Sequence, residues 1–402
     1  MSLIVQKYGG TSVANPESLK IVAEKIISAK KEDNQVVVVV SAMGSSTDEL
    51  ISLANELSDQ PSPREMDMLL SAGERITMSL LAMHLNSLGY ESFSLTGSQA
   101  GIITTSRHGR AEIEKISGER VREGLEKGSI VIVAGFQGFN PDTREITTLG
   151  RGGSDATAVA LAASLNADRC EIYTDVDGVF TADPRITKKA KLLKEITYDE
   201  MLEMASTGAR VLMARSVEFG RRYNVPIIVR PTFNDGLGTI VKENVMEQAI
   251  VSGVTHNDKE IKFTLFGVPD QPGIAGTVFG HLSEKGINVD MIVQNVSKDA
   301  KTDISFTAPD EQKEDVTKIL SNLTKDLNAE GSDEDENIAR VSIIGAGMKS
   351  ESGVASKMFK TLGLNQINIG MISTSPIRIS CVISKNDMQK AIEVLHDEFI
   401  IE

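Results

Sequence analysis

Short apolar runs alternate with longer helical stretches over the first part of the chain. The runs occupy residues 3–5, 36–40, 130–134, 171–173 and 225–229. Because they are largely continuous rather than alternating, they predict strands that are buried on both faces, as in a parallel sheet covered by helices. An α/β fold with a mainly parallel sheet is therefore expected here.

Glycine-bearing turns follow several of these runs. Gly9 and Gly10 follow the first, Gly44 comes shortly after the second, and Gly135 follows the third. In parallel α/β sheets, ligands bind in loops beyond the carboxyl ends of the strands. These turns are thus expected to carry the chemistry.

The C-terminal part contains two copies of one pattern, at residues 263–297 and 341–374. Each copy has an apolar strand, a glycine turn before a helix, and two further strands. The repetition predicts two small βαββ-type units that stack or pair. The acidic stretch 331–337 between them is predicted to be a solvated linker.

Length and charge narrow the possible functions. A chain of 402 residues predicts two or three domains. A net charge of −14 argues against a nucleic-acid or anionic-membrane partner, because both require a basic surface. Cys170 and Cys381 are expected to be reduced and buried, and no protein metal site is predicted. Without a signal-peptide pattern or a membrane-length apolar run, a cytoplasmic location is expected.

The turn after the first strand reads Lys-Tyr-Gly-Gly-Thr-Ser at residues 7–12. Paired glycines let backbone N–H groups approach an anion, and Lys7 supplies a mobile cation for phosphate oxygens. Taken alone, the pair is more often a simple tight turn. The order of residues differs from a Walker A loop.

Residues 150–155 read Gly-Arg-Gly-Gly-Ser-Asp and form a richer candidate site. The glycines can make an anion nest, Arg151 offers a bidentate fork, and Asp155 lies where a helix begins. The alternative is that Asp155 only stabilises the helix start while Arg151 is a surface charge.

Two further segments are ambiguous by themselves. Residues 71–75, Ser-Ala-Gly-Glu-Arg, are most simply an exposed helix surface. The polar loop 173–185 could hold a nucleotide or make only Asx-type turns.

Neither a Ser/His/Asp nor a Cys/His nucleophile arrangement is recognisable, and there is no HExxH motif. A substrate carboxylate is ionised at neutral pH and can attack a phosphate without a general base. An enzyme for that reaction mainly positions two anions and offsets their repulsion with Lys, Arg, backbone N–H groups and Mg²⁺. The motifs above fit this task.

Taken in order, the motifs resemble the amino-acid kinase family, and specifically its monofunctional aspartate kinases, over essentially the whole chain. The matching segments are residues 7–12, Val-Ser-Ala-Met-Gly at 40–44 with Thr47-Asp48, Gly-Glu-Arg at 73–75, residues 150–155, Thr-Asp-Val-Asp-Gly at 174–178 and Asp-Pro-Arg at 183–185. Each motif is weak alone, but all of them in order make a specific signal.

The resemblance implies phosphoryl transfer from ATP with Mg²⁺ to L-aspartate, at the start of lysine, threonine and methionine biosynthesis. The implied catalytic residues are Lys7, Gly9, Gly10 and Asp155. The implied aspartate site comprises Ser41, Thr47, Glu74, Arg151, Gly152, Gly153 and Ser154. Glu74 would pair with the substrate ammonium, Arg151 would hold a substrate carboxylate, and Asp155 would orient Lys7.

The resemblance also implies a nucleotide site. Its residues would be Lys7, Tyr8, Gly9, Gly10, Thr174, Asp175, Phe180, Thr181, Asp183, Pro184, Arg185 and Arg210. Two positions depart from the common pattern, since many relatives have Tyr at 180 and Lys at 210. Arg and Lys are not equivalent donors, which puts the role of Arg210 towards ATP in doubt.

The repeated units resemble a tandem pair of ACT domains, so the expected fold is an amino-acid kinase fold followed by two βαββαβ ACT units. The implied effector residues are Asp270, Ile274, Ala275, Asn288, Asp290, Gln294, Val354, Ala355, Asn368, Ile369 and Thr374. A threonine or lysine inhibitor, or both, and a homodimer or higher homo-oligomer are expected. Met246 is a candidate internal start for a shorter regulatory subunit.

The expected domains are a catalytic domain at 1–245, a first ACT region at 246–335 and a second ACT domain at 336–402. A strand near residues 249–254 is expected to complete the second ACT unit. Kinases of glutamate, acetylglutamate or nucleotides are disfavoured by the Gly-Glu-Arg element and the ACT pair. A non-catalytic amino-acid sensor on the same fold remains the alternative. A dehydrogenase domain is not expected, because the chain ends soon after the second ACT unit.

Overall fold

The structure is a computed structural model that describes residues 2–209, 211–245, 249–296 and 300–400. It contains two compact units. The first comprises residues 1–180, 192–206 and 210–247, and the second comprises residues 181–191, 207–209 and 248–402. No helix in the described part of the chain is long and apolar enough to cross a membrane.

The first unit contains strands and helices in alternation. Its strands are β1 Leu3–Tyr8, β2 Gln35–Val40, β3 Ser92–Leu95, β4 Ile102–Thr104, β5 Ile113–Ile116, β6 Ile130–Ala134, β7 Gln137–Asn140, β8 Glu145–Thr148, β9 Arg169–Thr174, β10 Glu195–Thr197, β11 Ile227–Pro231 and β12 Thr239–Lys242. Its helices are α1 Pro16–Lys31, α2 Ser46–Leu57, α3 Pro63–Ser87, α4 Glu119–Glu126, α5 Gly153–Leu165, α6 Tyr198–Ser206 and α7 Ala214–Tyr223.

The larger sheet of this unit has the strand order β10-β12-β11-β9-β1-β2-β6-β3. All neighbouring pairs are parallel except β11 and β12, which confirms the predicted mainly parallel sheet. β-Branched residues pack well in a strand covered on both faces, and the five valines of β2 are all buried. A smaller sheet has the order β5-β4-β7-β8.

Helices cover both faces of the centre of the larger sheet. On one face, Val22 and Ile26 of α1 share a buried cluster with Val38 of β2 and Leu81 of α3. On the other face, the alanine-rich helix α5 is buried along almost its whole length against β1 and β2. Small side chains let α5 lie close to the strands, which brings its first turn to the end of β1.

The second unit contains two similar subdomains. Its strands are β13 Gly253–Asn257, β14 Glu260–Pro269, β15 Ile292–Val296, β16 Lys301–Pro309, β17 Gly331–Asp335, β18 Ile338–Ile344, β19 Met371–Ser375 and β20 Arg378–Ser384. Its helices are α8 Ile274–Glu284, α9 Lys313–Asp326, α10 Val354–Leu364 and α11 Met388–Phe399.

Two antiparallel sheets organise this unit, with the orders β15-β16-β14-β17 and β13-β18-β20-β19. β17 lies beside the first strand of its repeat, and β13 lies beside the first strand of the other repeat. The strand expected near 249–254 is found as β13, at Gly253–Asn257. The second repeat thus takes its outer strand from the segment before the first repeat.

The prediction that residues 331–337 are a linker was wrong. Residues Gly331–Asp335 form β17, which pairs with β14 from Phe266 to Lys262. The acidic side chains remain compatible with an edge strand because Lys313 of α9 pairs with both Glu334 and Glu336. Composition alone indicated solvation, whereas backbone pairing with β14 decides the structure.

A buried ion cluster joins the two repeats of the second unit. Arg340 of β18 is 1% exposed, and its Nη2 lies 2.7 Å from Oε1 of Glu260 at the start of β14. Its Nη1 pairs with Asp290, which precedes β15. Burial raises the pKa of Glu260, and the charge of Arg340 opposes that effect. Arg340 therefore pairs with two carboxylates of the first repeat.

We expect Arg340→Met to lower the free energy of unfolding of the full chain by about 3–5 kcal/mol at pH 7. The substitution leaves the buried Glu260 carboxylate without its countercharge. Urea denaturation measures the change. Lys318→Met removes an exposed ion pair with Glu314 and serves as the control, with little expected effect. Equal unfolding curves for Arg340→Met and Lys318→Met would contradict the assignment.

Candidate active site

The glycine turn after β1 packs tightly against the turn after β2. The Gly44 N–H donates to the Gly10 carbonyl over 3.0 Å, and the Ser41 N–H donates to the Tyr8 carbonyl over 3.1 Å. A Cβ on Gly10 would lie 3.1 Å from the Ala42 carbonyl oxygen. The turn after β2 therefore packs closely on Gly10, and the two predicted loops form one structure.

Lys7 and Asp155 form an ion pair beside this turn. Lys7 Nζ lies 2.6 Å from Asp155 Oδ1, and the two side chains are 11% and 10% exposed. Asp155 lies in the first turn of α5, where the helix dipole favours a carboxylate. The Lys7 ammonium is therefore held by Asp155, whose own position is set by helix α5.

The Gly9 amide has a partner in this conformation. Its N–H donates to the Tyr173 carbonyl of β9 over 3.3 Å. Of the two backbone amides predicted to face a phosphate, the Gly9 amide is thus already engaged. A Cβ on Gly9 would lie 3.3 Å from Lys7 Nζ, so glycine also leaves space around the cation.

The loop before α5 depends on glycines in the left-handed region. Gly150 has φ +76° and Gly152 has φ +70°. A Cβ on Gly152 would lie 2.0 Å from Met213 Cγ, so no larger residue fits. Arg151 is exposed between them, while Gly153 and Ser154 are buried at the helix start.

Glu74 is buried, so the interpretation of residues 71–75 as an exposed helix surface was wrong. Glu74 is 3% exposed, and a Cβ on Gly73 would lie 2.7 Å from Ala42 Cβ. This close packing of α3 on the turn after β2 buries the carboxylate. The Ala42 N–H donates to Glu74 Oε1 over 3.1 Å, whereas Oε2 is buried without a hydrogen bond from the described residues. Burial raises the pKa of Glu74 to about 7.

Ser41 and Thr47, the remaining predicted aspartate-site residues, lie in the segment that follows β2. Ser41 directly follows β2, and Thr47 lies in the first turn of α2. Both are partly exposed. Ser41 adjoins Ala42, the residue that contacts Glu74, so these groups border one region.

Tyr8 is the predicted nucleotide residue whose side chain fits that role least. Its ring is fully buried and stacks on Tyr173 with centroids 4.7 Å apart. Its hydroxyl donates to Gln6 Oε1 over 3.2 Å. The structure therefore leaves only the Tyr8 backbone near the turn.

The remaining predicted nucleotide residues fall in different parts of the structure. Thr174 ends β9 in the first unit and Asp175 directly follows it, and the Thr174 hydroxyl donates to Asp175 Oδ1 over 3.1 Å. Phe180 is half-buried, and its backbone forms an isolated antiparallel β-bridge with Leu192. Thr181, Asp183, Pro184 and Arg185 belong to the second unit. Arg210 and Met246 lie outside the described residues.

Within the second unit, Asp183 and Arg185 make a paired turn. Arg185 Nη2 lies 2.7 Å from Asp183 Oδ2, and its Nε donates to Oδ1 over 3.0 Å. Hydrogen bonding from Arg185 holds the pKa of Asp183 below its usual value. Thr181 is buried, and its hydroxyl lies 2.8 Å from His396 Nε2.

A cleft of about 510 Å³ lies on the α1 face of the larger sheet. Gln6, Glu171 and Arg230 line it, together with Lys25 of α1. Glu171 accepts hydrogen bonds from Gln6 Nε2 over 3.0 Å and Arg169 Nε over 2.9 Å. None of the predicted site residues lines this cleft, because side chains alternate along a strand and Lys7 points to the other face.

Comparisons with known proteins fit this geometry. The sequence profile of the Amino acid kinase family matches residues 2–231, and an ACT domain profile matches residues 264–323 and 341–399. A protein named Aspartokinase from Mycolicibacterium smegmatis is 52% identical over 99% of this chain and 96% of its own length. The chain belongs to the aspartokinase branch of the amino acid kinase family.

Solved aspartokinase structures share the fold over the whole length. E. coli aspartokinase III in complex with aspartate and ADP, described as its R-state, is 25% identical with a TM-score of 0.85. The same protein in complex with lysine and aspartate, its T-state, is 25% identical with a TM-score of 0.78. Each alignment covers 99% of this chain and 100% of that chain.

The effector residues implied by the aspartokinase resemblance occupy matching places in the two repeats. Gly273 and Gly353 precede α8 and α10 with φ +95° and +88°. Asp270, Asn288, Gln294, Asn368 and Thr374 are exposed, Ala275, Ala355 and Ile369 are partly exposed, and Ile274 and Val354 are buried. Asp290 differs, because it pairs with the buried Arg340.

Sequence reasoning missed a polar cluster on α3. Asp67 is fully buried and binds His108, Gly109 and Thr148. It lies two helical turns before Glu74, so the two carboxylates share one face of α3. The seven-residue spacing of Asp67 and Glu74 could have indicated that both lie on one helix face. The partners of Asp67 are too distant in sequence to be inferred from that spacing.

We expect the stability of Glu74→Gln relative to the wild type to be greater at pH 8 than at pH 5. The folded-state pKa of about 7 exceeds the usual 4.5, so stability from the neutral carboxyl is present at low pH and lost as pH rises to about 7. At about 1.36 kcal/mol per pKa unit, the wild type loses about 3 kcal/mol that the amide keeps.

Urea unfolding of the wild type and Glu74→Gln at pH 5 and pH 8 measures this difference. Glu126→Gln on the exposed face of α4 is the control and is expected to show no such pH dependence. If the free energies of unfolding of the wild type and Glu74→Gln differ by the same amount at both pH values, the raised pKa of the buried Glu74 carboxylate would be refuted.

Proposed function

We propose that this chain transfers the γ-phosphoryl group of MgATP to the β-carboxylate of L-aspartate, giving ADP and 4-phospho-L-aspartate. The activity follows from membership of the aspartokinases at about half identity over the full length. The observation that carries the residue assignment is the buried Lys7–Asp155 pair at the glycine turn. The reaction is the first step towards lysine, threonine and methionine.

The chemistry needs no general base. An oxygen of the substrate carboxylate attacks the γ-phosphorus, the new O–P bond forms, and the bond from the γ-phosphorus to the bridging oxygen breaks. ADP carries away the electron pair, and no proton is transferred. Lys7 would stabilise the negative charge on the phosphoryl group during transfer. The main contributions of the protein would therefore be the positioning of the two substrates and electrostatic stabilisation.

Glu74 is suited to the substrate ammonium. Its Oε2 is buried and receives no hydrogen bond from the described residues, so a bound ammonium would satisfy it. An adjacent cation would lower the raised pKa of Glu74 and favour its charged form. Arg151, which is exposed beside the glycine loop, would bind the substrate carboxylate through its planar fork.

Thr174 and Asp175, at the carboxyl end of β9, would contact the nucleotide. In the described part of the chain, no group of three or more His, Cys, Asp or Glu could hold a metal ion. Mg²⁺ characteristically binds substrate phosphates, waters and one or two carboxylates, and the exposed Asp175 could supply one. The ion would neutralise phosphate charge during transfer.

Feedback control would act through the two ACT repeats. The exposed Asp270 and the N-terminus of α8 suit the ammonium and carboxylate of an amino acid. Lysine, which is bound by E. coli aspartokinase III, and threonine are the proposed inhibitors. The proposed domains are a catalytic domain at 1–245, a first ACT region at 246–335 and a second ACT domain at 336–402.

A homo-oligomer is also part of the proposal. Ile76, Leu80 and Met83 form an exposed apolar stripe on α3, with exposures of 57%, 41% and 66%. Such a stripe is unfavourable in water unless another surface covers it.

The alternative of a non-catalytic sensor finds no support, because Lys7, Glu74, Arg151 and Asp155 are all present.

We expect the purified chain to form aspartyl hydroxamate from MgATP, L-aspartate and hydroxylamine. Lys7→Met should reduce the rate by about 10²–10³-fold, because it removes the cation while keeping the side-chain length. Lys20→Met, which removes an exposed cation of α1, is the matched control and should retain activity.

L-Glutamate in place of aspartate tests the substrate, and lysine and threonine, added singly and together, identify the inhibitor. An ATP-binding wild type that forms no hydroxamate would favour the amino-acid sensor. Full activity in Lys7→Met would instead remove Lys7 from the mechanism.

A further inference from the structure

We propose that Asp67, His108 and Thr148, here called the α3 clamp, are positioning residues that set the location of Arg151. This inference rests on the proposed role of Arg151 towards the substrate carboxylate. All three side chains lie outside the kinase motifs of the sequence.

Asp67 is a buried carboxylate with partners on both oxygens. The Thr148 hydroxyl and the Gly109 N–H donate to Oδ1, the latter over 3.0 Å. His108 Nδ1 lies 2.6 Å from Oδ2. A buried charge is costly unless it is fully hydrogen-bonded, so these contacts hold both partner segments firmly against α3.

The two partner segments lie side by side. The Ala111 N–H donates to the Thr148 carbonyl over 2.9 Å. A Cβ on Gly150 would lie 3.1 Å from the Gly109 carbonyl oxygen, and the φ of +76° at this position favours glycine. Asp67 thus binds one segment through Gly109 and the adjacent one through Thr148.

The clamp holds both ends of β8. Thr148 ends this strand, and Glu145 begins it, with its Oε2 3.1 Å from His108 Nε2. Burial alone would lower the pKa of His108, but hydrogen bonds and charges from Asp67 and Glu145 outweigh burial and raise it. A protonated His108 can donate to both carboxylates.

Arg151 lies between two fixed points of the chain. Thr148 is held by Asp67 on one side, and Asp155 is held by Lys7 on the other. Arg151 itself makes no hydrogen bond or ion pair with the described residues, so the backbone on either side determines where its guanidinium can reach. Releasing Thr148 should therefore weaken substrate binding while leaving the Lys7–Asp155 pair in place.

Thr148→Val tests the clamp, because it keeps the side-chain shape and removes the hydroxyl. In the full chain we expect the aspartate KM to rise about tenfold, as for a lost hydrogen bond to a charged group, while the ATP KM stays within about twofold. Thr148→Ser keeps the hydroxyl and should restore a near wild-type aspartate KM. His108→Ala, at a partly exposed position, should raise the aspartate KM with the same selectivity and serves if Thr148→Val does not fold.

Arg151→Met and the double variant Arg151→Met/Thr148→Val complete the design. Once Arg151 is absent, Thr148→Val should raise the aspartate KM no further. Equal rises in both KM values, or a Thr148→Ser enzyme as impaired as Thr148→Val, would overturn the clamp. An inactive wild type would instead sink the proposed function, and an unchanged aspartate KM in Arg151→Met would remove the premise that Arg151 binds substrate.

Discussion

The ion pair between Lys7 and Asp155 is the constraint on which the rest of the catalytic unit depends. It requires β1 at the centre of the sheet and the first turn of α5 directly above its end. The alanines of α5 and the glycines of the adjoining turns permit that approach. A buried ion pair contributes little net stability compared with apolar packing. Its value therefore lies in fixing a cation where a phosphoryl group would be transferred.

Helix α3 carries two buried carboxylates that illustrate two uses of burial. Both oxygens of Asp67 are hydrogen-bonded, so this residue organises the protein around itself. Glu74 has one oxygen without a hydrogen bond from the described residues and a pKa raised to about 7, so it is suited to a ligand that brings its own charge. The same helix face thus combines a rigid support with a recognition group.

Five of the eight strands of the larger sheet, β1, β2, β6, β9 and β11, could be predicted from the sequence because each contains a continuous apolar run. Other features depend on contacts that no local pattern encodes. The acidic composition of residues 331–335 indicated solvent, but the free edge of β14 makes them a strand. Glu74 is buried by packing on Ala42, and Asp67 finds partners 41 and 81 residues away. The ion cluster of Arg340 joins the two repeats and also could not be predicted from a local sequence pattern.

A double-mutant cycle on the rate of acyl-phosphate formation tests the central claim most directly. Rates of aspartyl hydroxamate formation would be compared for the wild type, Lys7→Met, Asp155→Asn and the double variant. If Asp155 acts by fixing Lys7, the double variant should be no slower than Lys7→Met alone, because residues that act as a unit are not additive. Losses that multiply in the double variant would show that the two side chains act independently and would contradict the account.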